Sequence, residues 1–321
     1  MELANKTVNE KIAWGIETSR QQALAAEIAQ LKKDRDAVIF AHCYQRSEVQ
    51  AVADQVGDSF QLARWAQEST ASVIVLAGVR FMAETAKILN PDKKVLLPEV
   101  EAGCPMADMV DAKQLAAYLE EHPNTLVVSY INTTAEVKAL TDICCTSANA
   151  RQVVESLPSD QEILFLPDRN LGSFINNKIG SHMKLWPGYC PTHAKLGVDD
   201  IKAARKAHPA AEVLVHPECD PEVVKVADQA LGTTGMVKHI GASEVKEFII
   251  GTEVGLVERL QMLYPEKSFY LAASELICPN MKATTLSKVR DALLYMEPEV
   301  EVLPQIMRDG RAALDKMMNI E

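Results

Sequence analysis

Three short apolar runs recur along the chain between polar, turn-rich stretches: Ala37-Val38-Ile39-Phe40-Ala41-His42, Thr125-Leu126-Val127-Val128-Ser129-Tyr130 and Glu212-Val213-Leu214-Val215-His216. Runs this short, continuous and rich in Val, Ile and Leu predict strands buried on both faces of a parallel sheet. A second run follows in each copy, Ser72 to Leu76, Glu162 to Leu166 and Glu247 to Ile250, and then a helical stretch. The pattern predicts strand, helix, strand, helix, strand, three times over.

Chemistry keeps register with the pattern. The first runs end in His42, Tyr130 and His216 at intervals of 88 and 86 residues; Asp54, Asp142 and Asp228 lie twelve residues beyond, and the hydroxyls of Ser59, Ser147 and Thr233 five further on. Cys104, Cys190 and Cys278 close the copies at intervals of 86 and 88. Matched positions with little identity are what a threefold duplication leaves. The expected fold is α/β: three α/β/α three-layer domains, with an N-terminal helix over 1–35 and repeats over 36–123, 124–208 and 209–321. Turn residues near Asn124 and Pro209 mark the boundaries. The last repeat carries a closing helix over Leu303 to Met318, and the N-terminal helix is expected to cover an exposed sheet edge.

Composition narrows the class. At 321 residues and 48% hydrophobic, the chain has ample material for real cores. A net charge of −11 argues against a nucleic-acid or anionic-membrane partner, because phosphate would be repelled. No stretch of about 18 apolar residues is present to span a membrane, and no export signal opens the chain. Seven cysteines without such a signal point to reduced thiols and a cytoplasmic setting.

In open α/β units, ligands bind at the carboxyl ends of strands, where loops and helix N-termini converge. His42, Tyr130-Ile131-Asn132 and His216-Pro217-Glu218 fall at such ends. Packing the copies about a pseudo-threefold axis, strand ends inward, would gather these side chains around one active site at the central junction. Gly57-Asp58-Ser59, Thr146-Ser147 and Gly232-Thr233-Thr234 read as helix starts, where a hydroxyl either caps the helix or receives an anionic ligand.

Three thiolates suit zinc, copper(I) or an iron-sulfur cluster and leave one position of a four-coordinate shell open. None of the three has the local spacing of a zinc ribbon or ferredoxin, so packing remains an alternative. Against it, Ala102-Gly103-Cys104-Pro105, Gly188-Tyr189-Cys190-Pro191 and Cys278-Pro279 are turns able to expose a thiol. A zinc hydrolase and a three-unit small-molecule binder with structural cysteines are the competing readings.

Several segments, taken in order, resemble the quinolinate synthase family: Ala41-His42-Cys43-Tyr44-Gln45, Gly78-Val79-Arg80-Phe81-Met82-Ala83-Glu84-Thr85-Ala86, Tyr130-Ile131-Asn132, Cys145-Thr146-Ser147-Ala148-Asn149-Ala150, Leu166-Pro167-Asp168-Arg169-Asn170-Leu171-Gly172, His216-Pro217-Glu218-Cys219 and Gly251-Thr252-Glu253. The likeness spans about residues 36–295. It implies a pseudo-threefold fold and a [4Fe-4S] cluster on Cys104, Cys190 and Cys278, with one iron free of protein ligands to act as a Lewis acid. The implied reaction is a transferase-class condensation of iminoaspartate with dihydroxyacetone phosphate to quinolinate, phosphate and water in NAD biosynthesis. Iminoaspartate as substrate implies transient contact with an L-aspartate-oxidising enzyme. The resemblance assigns acid/base work to Glu218, substrate or proton handling to His42 and His216, and to Tyr44, counted among the catalytic residues, a part in orienting the intermediate. It assigns orientation of the intermediate to Tyr130 and Asn132, and carboxylate or phosphate binding to Ser59, Ser147, Thr233 and Thr234.

Other positions divide between chemistry and structure. His193 is either an outer partner of the cluster or a loop histidine. Arg80 and Arg169 read as structural, Glu84 and Glu253 as catalytic or capping, Cys144 and Cys145 as buried thiols, and Cys219 as a minor alternative ligand. Cys43 and Thr233 depart from the family pattern, the first placing a thiol near the expected substrate and the second adding a methyl to the usual serine.

Overall fold

The computed structural model describes residues 15–158 and 160–320. Its strands are β1 (Ala37–His42), β2 (Gln55–Gly57), β3 (Val73–Ala77) and β4 (Lys94–Leu96) in the first repeat; β5 (Leu126–Tyr130), β6 (Ile143–Cys145), β7 (Ile163–Leu166) and β8 (Lys184–Leu185) in the second; and β9 (Glu212–Val215), β10 (Gln229–Ala230), β11 (Glu247–Gly251) and β12 (Ser268–Leu271) in the third. Each repeat forms one four-stranded sheet, in the orders β2-β1-β3-β4, β6-β5-β7-β8 and β10-β9-β11-β12. Pairing is parallel around β1, β5 and β9, and helices alternate with the strands. The predicted strands are present within a residue or two. The additional strands β2, β6 and β10 are only two or three residues long, too short to leave a periodic signal.

The chain divides into two compact units. One comprises the residues up to Gly103 with Glu253–Ser268 and Ile277–Glu301; the other comprises Cys104–Thr252, Phe269–Leu276 and Val302–Glu321. In the first, Ile39, Ala41, Val73 and Val75 of the inner strands pack against Ala25 and Ile28 and against Leu286, Val289 and Leu293. The helix Ser19–Asp34 supplies Ala25 and Ile28. It begins at Thr18, whose side chain caps it in a reciprocal bond with Gln21. It therefore lies on the face of the sheet over the inner strand β1, and the expected edge-covering role is corrected: a helix with a buried apolar stripe gains most where a strand needs its second face covered. The part of that expected helix before residue 15 lies outside the described residues. In the second unit, Val127, Leu164 and Leu166 pack with Leu115 and Val137, and Val213, Val215 and Ile249 with Ile201 and Val223. The closing helix, Pro304–Met318, packs on β6 and is held at its C-terminus by Asn149, which donates to the carbonyls of Met317 and Ile320.

The recurring aspartates have a structural explanation. Asp54 accepts the N–H of Ile39 at 2.7 Å and donates its own N–H to the Ile39 carbonyl at 2.9 Å. Asp142 does the same with Val127 at 2.8 and 3.1 Å, and Asp228 with Val213 at 2.8 and 3.0 Å. Each aspartate directly precedes a short outer strand, so it satisfies inner-strand groups that the short strand cannot reach. Each such bond contributes about 1 kcal/mol net.

In this strand order the chain reverses direction across the sheet between β1 and β3, β5 and β7, and β9 and β11, the place where ligands bind open α/β sheets. His42 and Tyr130 end β1 and β5, and His216 follows β9.

Candidate active site

One cluster of the sequence-predicted residues centres on Glu218, which is buried in the second unit. The Tyr130 hydroxyl donates to Glu218 Oε1 at 2.5 Å, and His193 Nδ1 lies 2.9 Å from Oε2. The loop is fixed from behind: the Glu218 N–H donates to His216 Nδ1 at 3.3 Å, and Asn170 Nδ2 donates to the Glu218 carbonyl at 3.1 Å. Accepting that N–H makes Nδ1 of His216 the unprotonated nitrogen, so its proton sits on Nε2. His216 stacks on His193 with ring centroids 4.7 Å apart. His193 in turn meets Thr252 Oγ1 through Nε2 at 2.8 Å and Cys190 Sγ through Nδ1 at 3.2 Å. The structure thus resolves His193: it is buried and joins a cysteine to the candidate general base.

Electrostatics differentiates the groups. Burial favours the neutral form of Glu218, but the imidazoles of His216 and His193 and the hydrogen bonds from His193 and Tyr130 outweigh it and hold the carboxyl below the ordinary carboxylate range. Burial lowers His216 to about 4, so it is a neutral imidazole near pH 7. Asp168 shows the opposite balance: burial and then the charge of Glu218 raise it, although the N–H groups of Asn170 and Leu171 oppose the shift. Its Oδ1 caps the helix Arg169–Ile179, while its Oδ2 has no partner among the described residues. Asn132 Oδ1 is likewise buried without one.

The first unit holds His42, Tyr44, Ser59 and Cys278. The Tyr44 N–H donates to His42 Nδ1 at 3.1 Å, repeating the His216 arrangement, and the two rings meet edge to face at 4.6 Å. Cys43 is 3% exposed, so its thiol is a core group. Of the hydroxyl series, Ser59 and Thr233 open the helices Ser59–Glu68 and Thr233–Ala242, but capping falls to Asp58 in the first, and Gly232 holds the cap position in the second. Ser147 precedes Asn149, the N-cap of Ala150–Glu155. A Cβ on Gly232 would stand 2.7 Å from Ser147 Oγ, so the glycine is what lets the hydroxyl segments of the second and third repeats meet.

The cysteines separate by burial. Cys43, Cys144, Cys145 and Cys219 are buried, whereas Cys104, Cys190 and Cys278 are partly exposed, and none of the seven forms a disulfide. The Cys219 thiol donates to the Gly251 carbonyl at 3.5 Å, a packing role. Cys190 is raised well above the usual thiol range by burial and by Glu218, with Cys104 close enough to add to the shift. A metal reverses that balance, since a coordinating thiol gives up its proton. Three partly exposed thiols in x-Cys-Pro turns would suit an iron-sulfur cluster in donor chemistry. Cys190, His193 and Glu218 also present ligand atoms within 4.8 Å of one another, compatible with a single metal ion. Arg80 and Arg169 serve structure, donating to the carbonyls of Val100 and Pro187 ahead of Cys104 and Cys190.

Sequence reasoning gave no role to Asp168 or Thr252. The available signals were Cys190-Pro191-Thr192-His193, which puts thiol and imidazole on one turn, and Gly251-Thr252-Glu253 at the end of β11.

The model of the quinolinate synthetase A protein family matches residues 26–319. A quinolinate synthase of Thermodesulfovibrio yellowstonii is 50% identical over 295 residues, covering 92% of this chain and 97% of its own. One from Desulforudis audaxviator is 49% identical over the same span and coverage, and quinolinate synthase 2 of Methanosarcina acetivorans is 49% identical over 297 residues, 92% of this chain and 96% of its own.

Proposed function

Because the chain belongs to the quinolinate synthase family, we propose that it condenses iminoaspartate with dihydroxyacetone phosphate, releasing phosphate and two waters to give quinolinate for NAD synthesis. The observation that carries this reading is the buried Glu218 carboxylate held between Tyr130 and His193, in a chain whose likeness to the relatives covers 92% of its length. Cys104, Cys190 and Cys278 would hold a [4Fe-4S] cluster, in keeping with their partial exposure beside four buried thiols. When bound, such a cluster supplies an iron free of protein ligands as a Lewis acid toward a substrate hydroxyl or carboxylate.

The chain's own residues supply the rest. Ionised Glu218 accepts a proton from substrate carbon, and Tyr130, already donating to Oε1, returns one through its hydroxyl. Neutral His216 presents its Nε2 proton to a substrate oxygen, and His42, fixed in the same tautomer by Tyr44, does likewise. Asn132 orients the intermediate. Ser59, Ser147, Thr233 and Thr234 receive the carboxylates and the phosphate at helix starts, where N–H groups favour negative charge. The common strand order of the three sheets supports a triplicated α/β unit with a strand-end position for chemistry in each copy.

Among the described residues no helix is long and apolar enough to cross a membrane. Seven cysteines outside any disulfide suit a reducing cytoplasm. Iminoaspartate hydrolyses readily in water, which favours direct supply by an L-aspartate-oxidising enzyme. The test is an anaerobic assay of the reconstituted chain with dihydroxyacetone phosphate and freshly generated iminoaspartate. Quinolinate and phosphate are expected in equal amounts; phosphate release without quinolinate would favour a hydrolase instead.

A further inference from the structure

The segments bearing Cys104, Cys190 and Cys278 are braced from matching places in their repeats, and the third is braced differently. In the first, the Arg80 N–H donates to the Ala102 carbonyl at 2.8 Å and its guanidinium to the Val100 carbonyl at 2.8 Å. In the second, the Arg169 N–H donates to the Gly188 carbonyl at 2.9 Å, while its guanidinium reaches the Pro187 carbonyl and lies over the Tyr189 ring. The matching residue of the third repeat is Val254, which has no guanidinium to offer, and its neighbour Glu253 takes over.

Glu253 is wholly buried in the first unit and caps the helix Val254–Leu263 by accepting the Gly255 N–H through Oε2 at 2.7 Å. Capping alone needs one short polar side chain, such as Asp or Ser, and no cation. Here the second oxygen, Oε1, accepts the Cys278 N–H at 3.2 Å. Lys282 Nζ meets the two oxygens at 2.9 and 3.0 Å and donates again to the Tyr44 carbonyl at 2.6 Å. A buried ion pair is retained only when its remaining lone pairs and protons are used, and in this pair they are spent on the Cys278 turn and the Tyr44 loop. The fit is close: a Cβ on Gly255 would stand 2.8 Å from Lys282 Nζ and 2.9 Å from Tyr44 Cα.

We propose that Glu253 and Lys282 are positioning residues that set the Cys278 turn and the Tyr44 loop as one piece, so that a metal-ligating thiol and a substrate-facing tyrosine keep a fixed separation. This rests on the assignment of Cys278 as a cluster ligand. The pair touches neither substrate nor reacting atoms, so its effect should appear in the holoenzyme as faster cluster loss and slower turnover rather than weaker substrate binding.

The experiment compares parent, Glu253→Gln and Gly255→Ala after anaerobic reconstitution. It measures the rate at which a ferrous chelator strips iron, kcat and KM for dihydroxyacetone phosphate, and the melting temperature of the cluster-free chains. Gly255→Ala keeps both charges and reaches the network by bulk alone, so it decides the matter even if Glu253→Gln does not fold. Iron release at least ~10-fold faster with kcat at least ~10-fold lower and KM little changed is expected, the scale of losing an outer partner of a metal site. A lowered melting temperature with release rate and kcat at parental values would show a purely structural pair and overturn the proposal. A parent that takes up no iron and sulfide removes the premise as well; a loaded parent with unaffected variants sinks this inference alone.

Discussion

The same chain holds cysteines in two opposite surroundings. Cys144 and Cys145 end a buried strand, and burial pushes Cys144 up to about 12 and Cys145 well above the ordinary thiol range. Cys43 and Cys219 are equally enclosed. Cys104, Cys190 and Cys278 instead occupy loops after the last strands of their repeats and keep part of their surface. A sheathed thiol behaves as a small hydrophobe; the Cys190 thiol is also raised, by burial and by Glu218, but it keeps exposed surface through which a metal can approach and displace its proton. Burial and bracing, rather than spacing between neighbouring cysteines, separate the two kinds.

The largest effect that would break this contrast comes from Cys190→Ser, which should lose iron and sulfide together and cost more than ~100-fold in activity, beyond the loss of an outer partner. Metal analysis checks it, and full iron content would place Cys190 with the packing thiols. Next, Glu218→Gln should keep iron and sulfide yet lose ~100- to 10,000-fold in kcat, the range for a positioned general base. Unchanged quinolinate formation would remove Glu218 from that role.

A third effect is on stability. His216 has its folded value lowered to about 4 against about 6.5 unfolded, so the unfolded chain binds more protons between these values. Stability of the cluster-free chain should be fully present above pH ~6.5 and fall as pH drops toward ~4, by up to ~3 kcal/mol. Denaturant titrations across that window check it, and His216→Gln should flatten the slope. The smallest effect sharpens the contrast from its other side: Cys219→Ala should retain iron and activity and lose ~1 kcal/mol, the order of a small buried cavity. Loss of iron there would make Cys219 a ligand.

Much of the fold was legible because the inner strands are long, continuous and apolar: Val73–Ala77 is buried throughout and could only read as a central strand. The strands β2, β6 and β10 were not, because each depends on an aspartate staple that appears in sequence only as a recurring Asp with no stated partner. At the candidate site, motif and repeat position single out Glu218, Tyr130 and His216, which the fold brings into contact. His193 remained undecided because its role depends on Thr252, 59 residues away, and on Glu218, neither of which a local reading can bring beside it. Glu253 reads equally as catalytic or capping for the same reason. Its cap is local, but Lys282 and the Cys278 amide arrive from more than twenty residues along the chain.

On the function proposed above, thiols from three repeats serve one iron-sulfur centre. Iron and acid-labile sulfide, measured anaerobically on the reconstituted chain with its visible absorption, test it most directly. A brown protein with about four iron and about four sulfide per chain is expected; a colourless protein holding zinc, or one holding no metal, would rule the cluster out.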